Sequence, residues 1–224
     1  MSWGRIINPT LAADQQVAVN YLLLDGAGDT TTTPKISAYD LTDEAEIVAH
    51  VASDDYTHTN NQLVVGNWQR AYGLLILTTG KVAMLLYNAA HGYAGKTSSV
   101  ALSVTDGDPI WIKATYLGST GHVKFYTSSN GTSWSQLGST QTGAPASLYT
   151  GASYLHGIFT GSQDTAGNPF KGKIYRTIVR DGIDGTAVYD ADFTGATPGA
   201  ASITEGSSNA ATVTLVGDAE IIAG

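Results

Sequence analysis

The stretch VKFYTSSNGTSWSQLG, residues 123–138, decides how the chain is read. Gly131 and Trp134 have the spacing of a short loop that recurs once per blade in some β-propellers, and a propeller would point towards a hydrolase. The same residues also read as one hairpin of a β-sandwich, with Asn130-Gly131 as a two-residue turn, a pair that readily takes the positive φ such turns demand. That turn pairs Thr127 with Trp134 and Phe125 with Gln136. Cross-strand partners share a face, so Val123, Phe125 and Trp134 are expected to meet on one side, in the core.

The surrounding sequence favours the hairpin. A propeller is built from repeats of roughly 40 to 50 residues, and none is visible. The stretch occurs once, and the aspartate that the S-x-D-x-G-x-x-W loop of sialidases carries two places before the glycine is Ser129 here. Outside this stretch the side-chain period is two. In EIVAHVA, residues 46–52, Ile47, Ala49 and Val51 fall on one face and Val48, His50 and Ala52 on the other, as in a strand buried on both sides. Further strands are expected at 21–24, 35–39, 63–65, 73–78, 81–87, 98–104, 110–117, 122–127, 134–137, 154–159, 172–180, 186–190 and 211–216. Turn pairs such as Asp25-Gly26, Thr79-Gly80, Asp106-Gly107 and Asp181-Gly182 separate them. Many short strands with glycine-rich turns and no convincing helix predict an all-β sandwich or barrel.

Composition agrees. At 224 residues, with 42% hydrophobic and only 13% charged residues, the chain can close one large β core but lacks the charged wet faces of helices. There is no cysteine, so burial alone must hold the fold. A net charge of −8, with four arginines and seven lysines, excludes a phosphate-neutralising surface and hence nucleic acid as a partner. The N-terminus lacks the apolar run of a secretory signal. No stretch approaches the roughly 18 uninterrupted apolar residues of a membrane span, so a soluble product made in the cytoplasm, with no membrane insertion, is expected.

Three segments carry a resemblance. DGDPIWIKATYL (106–117), GHVKFYTSSNGTSWSQLG (121–138) and FKGKIYRTIVRDGIDGTAVYDADFT (170–194) resemble successive signatures of concanavalin A-like, laminin-G-like jelly-roll domains. The version is the one found in virion structural proteins of tailed bacteriophages, particularly those of actinobacteria. ISAYDLTDEAEIVAHVA (36–52), LVVGNWQRAYGLLIL (63–77) and ITEGSSNAATVTLVGDAEI (203–221) fit the early and closing strands. The resemblance covers roughly residues 17 to 222. It implies a two-sheet antiparallel jelly-roll sandwich and a place on a virion as a head decoration or fibre, or a minor tail protein; the sandwich is expected over 17–224, with residues 1–16 before it as an arm. Its partners would be other virion proteins and further copies in a homo-oligomer, with a host surface glycan as a further ligand. The fold alone does not decide activity, because it hosts lectins, glycosidases and scaffolds.

Catalysis is not expected. Glucanases of this fold resemble one another in an E-x-D-x-x-E strand that sets two carboxylates on one face for acid and nucleophile roles. The four glutamates here, Glu44, Glu46, Glu205 and Glu220, do not form it. Glu44 and Glu46 read as a charged strand entrance, and no nucleophile elbow, zinc-binding H-E-x-x-H or phosphate loop is present. The alternatives kept open are a receptor-binding lectin and, behind it, a glycan hydrolase.

His50, His58, His91, His122 and His156 are scattered rather than spaced as zinc ligands. Laminin-G-like relatives often hold Ca²⁺ at a loop rim, and for that the chain offers the pairs Asp54/Asp55, Asp106/Asp108 and Asp181/Asp184, of which Asp106, Asp108, Asp181 and Asp184 are the candidate ligands; Asp in turns is common without an ion. For sugars, Trp68, Tyr72, His91 and Tyr93 are expected in or beside loops, with Asn67 and Gln69 as hydrogen-bonding neighbours. Trp111 and Trp134 are expected in the core. In the arm, Trp3, Ile6 and Ile7 are apolar residues too few to make a core of their own, which suggests docking on a neighbouring subunit.

Overall fold

The computed structural model describes residues 19–67, 71–150, 156–161 and 168–224. Its strands are β1 (Tyr21–Asp25), β2 (Thr30–Pro34), β3 (Glu44–Ser53), β4 (Gln62–Asn67), β5 (Tyr72–Ile76), β6 (Lys81–Leu86), β7 (Lys96–Ala101) and β8 (Ile110–Leu117). Then come β9 (His122–Ser128), β10 (Ser135–Gln136), β11 (His156–Gly161), β12 (Lys171–Asp181), β13 (Thr186–Asp192), β14 (Ser202–Thr204), β15 (Thr212–Val216) and β16 (Glu220–Ile222). They form two antiparallel sheets. The first runs β10-β9-β8-β3-β12-β1-β16, and the second runs β14-β15-β2-β11-β4-β5-β6-β7. In the first sheet β12 pairs with β3 along one edge. Its other edge takes β1 against its first half and β13 against its second.

Alternation along the central strands makes the core. Ile47, Ala49 and Val51 of β3, Ile112, Ala114 and Tyr116 of β8, and Ile174 and Val179 of β12 all point into the sandwich and are fully buried. Facing them, β4 to β6 supply Val64, Leu74, Ile76, Val82 and Met84. The opposite face of β4 to β6 carries a second buried cluster, Leu63, Leu75 and Ala83 with Phe159 of β11. Burial on both faces explains why these strands read as unbroken apolar runs.

Two expectations need correction here. The strand expected at 35–39 is instead a 3₁₀ turn, Ser37–Tyr39, and the strand before it is the threonine run of β2. Its hydroxyls are satisfied inside the sheet, Thr31 Oγ1 accepting the Thr160 N–H and Thr33 Oγ1 the Ile158 N–H. Polar β-branched residues therefore fill buried positions without apolar alternation.

The 123–138 stretch is a hairpin, but its connection is six residues long, 129–134. Asn130 Oδ1 accepts the N–H groups of Thr132 and Ser133, while Ser128 Oγ accepts those of Asn130 and Gly131. The loop so formed pairs Ser135 with Thr127 and Gln136 with Tyr126. That register is one place away from the expected one, and a one-place slip exchanges the faces. Phe125 is fully buried without Trp134, and Trp134 stands half-buried on the outside.

Candidate functional site

Strand alternation sets what the first sheet shows to solvent. With Ile47, Ile112 and Val179 turned inward, Glu46, Val48 and His50 of β3, Trp111 and Lys113 of β8, and Ile178 and Arg180 of β12 turn outward. Apart from His50, which lies beside it, these residues enclose a cleft of about 370 Å³ together with Arg176 of β12, Gly131 and Trp134 from the β9–β10 loop and Asp184 from the β12–β13 turn. Val48 and Ile178, directly paired across β3 and β12, make an apolar floor.

The polar end of the cleft is centred on Glu46, whose side chain is only 3% exposed. Its Oε1 lies 3.2 Å from Arg180 Nε, and its Oε2 lies 3.7 Å from Lys113 Nζ and accepts the Asp184 N–H at 3.4 Å. Arg180 also donates through Nη1 to the Gly185 carbonyl. At the other end Arg176 donates from Nε and Nη2 to the two oxygens of Asp190, at 2.7 and 2.6 Å. That planar fork raises the guanidinium above its ordinary value, the hydrogen bonds to Asp190 outweighing burial. Lys113 Nζ sits 4.8 Å from the Trp134 ring centroid and 5.2 Å from that of Tyr126, a pair of cation–π contacts.

Beside the cleft, four rings cross four strands. Trp111 stacks on His50 (4.4 Å between centroids, 4° between planes), His50 on Tyr175 (4.5 Å), and Tyr175 meets Tyr21 edge-on. The backbone of Gly131, at φ +72°, lies over the Trp111 indole so closely that a Cβ there would come within 2.8 Å of the ring. With His50 on one face and Gly131 on the other, Trp111 offers a ligand only its edge. The row is a spine for the sheet, and Trp134 is the ring left beside the cleft. Burial in the row pushes the His50 imidazole down to about 4, a shift that Asp192 partly opposes.

The residues singled out in the sequence are dispersed. Trp68 and Gln69, like Trp3, Ile6 and Ile7 of the arm, lie outside the described residues. Asn67 and Tyr72, expected at a loop, lie in β4 and β5 at 1% exposure, with Asn67 Nδ2 and the Tyr72 hydroxyl both donating to the Tyr39 carbonyl. That shared acceptor allows both to be buried. His91 and Tyr93 are exposed, on the loop after β6. Asn88 Oδ1 accepts the N–H groups of Ala90 and Gly92, His91 takes φ +61°, and its ring stacks on Tyr149 at 4.2 Å. Trp111 and Trp134, expected in the core, are instead at the cleft. Sequence patterning missed the cleft because Trp134 depends on register and Arg176, Arg180 and Glu46 are far apart in the chain.

The four expected calcium ligands lie as two separate pairs. The Gly107 N–H donates to Ser53 at one end of β3, whereas Asp181 pairs with Ala45 at the other, so Asp106 and Asp108 cannot share an ion with Asp181 and Asp184. Among the described residues, Asp25, Asp29 and Asp218 do converge, with carboxylate oxygens within 4.8 Å of one another. Three hard oxygen donors of this kind suit Ca²⁺ as part of its shell. Asp29 is buried and accepts the N–H groups of Asp25 and Asp218. Burial, helped by a hydrogen bond with the Asp218 side chain, pushes its carboxyl up to about 6. Glu44 is exposed and Glu46 buried, so the pair is not one charged strand entrance. No helix among the described residues is long and apolar enough to cross a membrane.

No family model matches the chain, and no curated protein matches it. Solved structures do. A Bacteroides ovatus protein for which carbohydrate binding has been proposed superposes with a TM-score of 0.65 at 14% identity, over 92% of this chain and 60% of its own. The chain therefore spans about three fifths of the length of that protein. A heptameric SAP-like pentraxin from Limulus polyphemus gives 0.51 at 12% identity, over 74% of this chain and 77% of its own. Domains LG4-5 of the mouse laminin α1 chain give 0.51 at 16%, over 78% and 43%. At these identities the likeness is one of fold, and the fold is a two-sheet antiparallel jelly-roll sandwich of the laminin-G-like kind.

Proposed function

We propose that this domain is a non-catalytic glycan-binding module whose ligand seats in the outward cleft of the first sheet. The observation that carries the reading is the cleft itself, where Trp134 stands half-exposed beside an apolar floor and the fixed forks of Arg176, Arg180 and Glu46. A pyranose ring has apolar C–H faces and a rim of hydroxyls, and such a cleft offers partners for both. The carbohydrate binding proposed for the Bacteroides ovatus neighbour agrees with this reading. Hydrolysis would need one carboxyl to give a proton and a second to attack or activate water. The buried carboxylate here, Glu46, is committed to Arg180 and Lys113, and Asp190 is committed to Arg176.

The setting we propose is the surface of a phage particle, as a head decoration or fibre or a minor tail protein. Support comes from the resemblance at 106–117, 121–138 and 170–194. A glycan array with the purified protein, followed by a reducing-end assay on each hit, tests the main reading. Retention of sugars without release of new ends is expected; release of ends would make the protein a hydrolase. Mass spectrometry of intact particles tests the setting, and absence of the chain from them would remove it.

A further inference from the structure

The cleft is not the only hollow at the β9–β10 loop. On the other flank of the same loop lies a second one, of about 470 Å³, lined by Ser129, Ser133, Ser135 and Ser103 over an apolar base that includes Val104 and Pro109. Residues 133 to 135 alternate between the two hollows, Trp134 turning to the cleft and Ser133 and Ser135 to the serine side. The loop between them is fixed by the Asn130 and Ser128 hydrogen bonds and seated on Trp111, so the two hollows keep a set spacing.

Charge narrows the ligand. Each cation of the cleft already faces carboxylates: Arg176 faces Asp190 and Asp192, Arg180 faces Glu46, and Lys113 faces Glu46 and Asp184. A ligand carboxylate would meet cations whose charge is already offset by these carboxylates, and would approach a chain of net charge −8. Among the described residues no charged side chain lines the serine hollow, whose hydroxyls both donate and accept.

We propose that this face takes an uncharged glycan of at least two sugar units laid across the β9–β10 loop, one unit beside Trp134 and the next in the serine hollow. The proposal rests on the glycan-binding reading above and adds length and charge class to it. Tryptophan fluorescence and calorimetry with one to four units of the glucose, N-acetylglucosamine and galactose β-linked series, and with galacturonate oligomers as the charged counterpart, provide the test. For the neutral series that binds, affinity is expected to rise at least tenfold from one unit to three. In Ser133→Ala/Ser135→Ala that increment should vanish while the affinity for one unit stays within twofold. The galacturonate oligomers should bind at least tenfold more weakly than the neutral ones. Binding that is abolished by Trp134→Ala, yet is independent of length or stronger for the galacturonates, would overturn this proposal and leave the glycan reading standing. Absence of binding to every sugar, or binding indifferent to Trp134→Ala, would overturn both.

Discussion

Glu46 Oε1 lies 3.2 Å from Arg180 Nε across the directly paired strands β3 and β12, and that contact fixes the polar end of the cleft. The carboxylate is almost wholly buried, with Lys113 as its second cation. Removing one partner of a buried pair leaves the others uncompensated, which is more costly than the pair itself is stabilising. Glu46→Gln is therefore expected to lose about 2–3 kcal/mol, at the lower end of such cases because Arg180 keeps some contact with water. Urea denaturation checks this. A loss below about 0.5 kcal/mol, typical of surface changes, would mean that the network contributes little.

The His50 stack gives a pH dependence. Its folded value is lowered to about 4 from 6.5, so the folded protein resists a proton that the unfolded chain accepts. The stability this group contributes is fully present above about 6.5 and is lost as pH falls towards 4. Melting temperature measured from pH 7.5 to 4.5 should fall less steeply in His50→Phe than in the native chain. Equal slopes would show that His50 titrates as an exposed histidine does.

Much of the sandwich was legible because apolar side chains repeat with period two or run unbroken, as in EIVAHVA and KVAMLL, and the glycine turns mark the ends. The threonine strand β2 was not, since its buried side chains are polar and find partners that lie far away in the chain, on β11 among others. The cleft was hidden for a related reason. Trp134 reads as core in a two-residue turn and as surface in a six-residue loop, and only the hydrogen bonds of Asn130 and Ser128 decide between them. Likewise, Tyr72 reads as a loop aromatic until the Tyr39 carbonyl is placed against its hydroxyl.

Gly131 combines a left-handed backbone with the Trp111 ring pressed against it. Gly131→Ala is expected to cost about 1–3 kcal/mol through strain and to move the loop that carries Trp134. Thermal unfolding reads the first effect, and weakened sugar binding reads the second. Unchanged stability would show that the loop has room the structure does not give it.

Because Trp134 is outside the core, Trp134→Ala should lose less than about 1 kcal/mol of stability. A loss of roughly 3–5 kcal/mol, the range for a core aromatic, would return Trp134 to the core and remove it from the cleft. Denaturant midpoints for the two proteins distinguish these outcomes.

Mapping of bound sugar by two-dimensional NMR tests the central claim most directly, with the indole N–H signals of the tryptophans and the side-chain signals of Arg176 and Arg180 followed as a neutral trisaccharide from the glycan array is added. The account predicts saturable shifts of the Trp134 indole and of both guanidinium groups, with the loop around His91 and Tyr93 unchanged. Shifts confined to that loop, or spread over residues remote from the cleft while Trp134, Arg176 and Arg180 stay still, would contradict it.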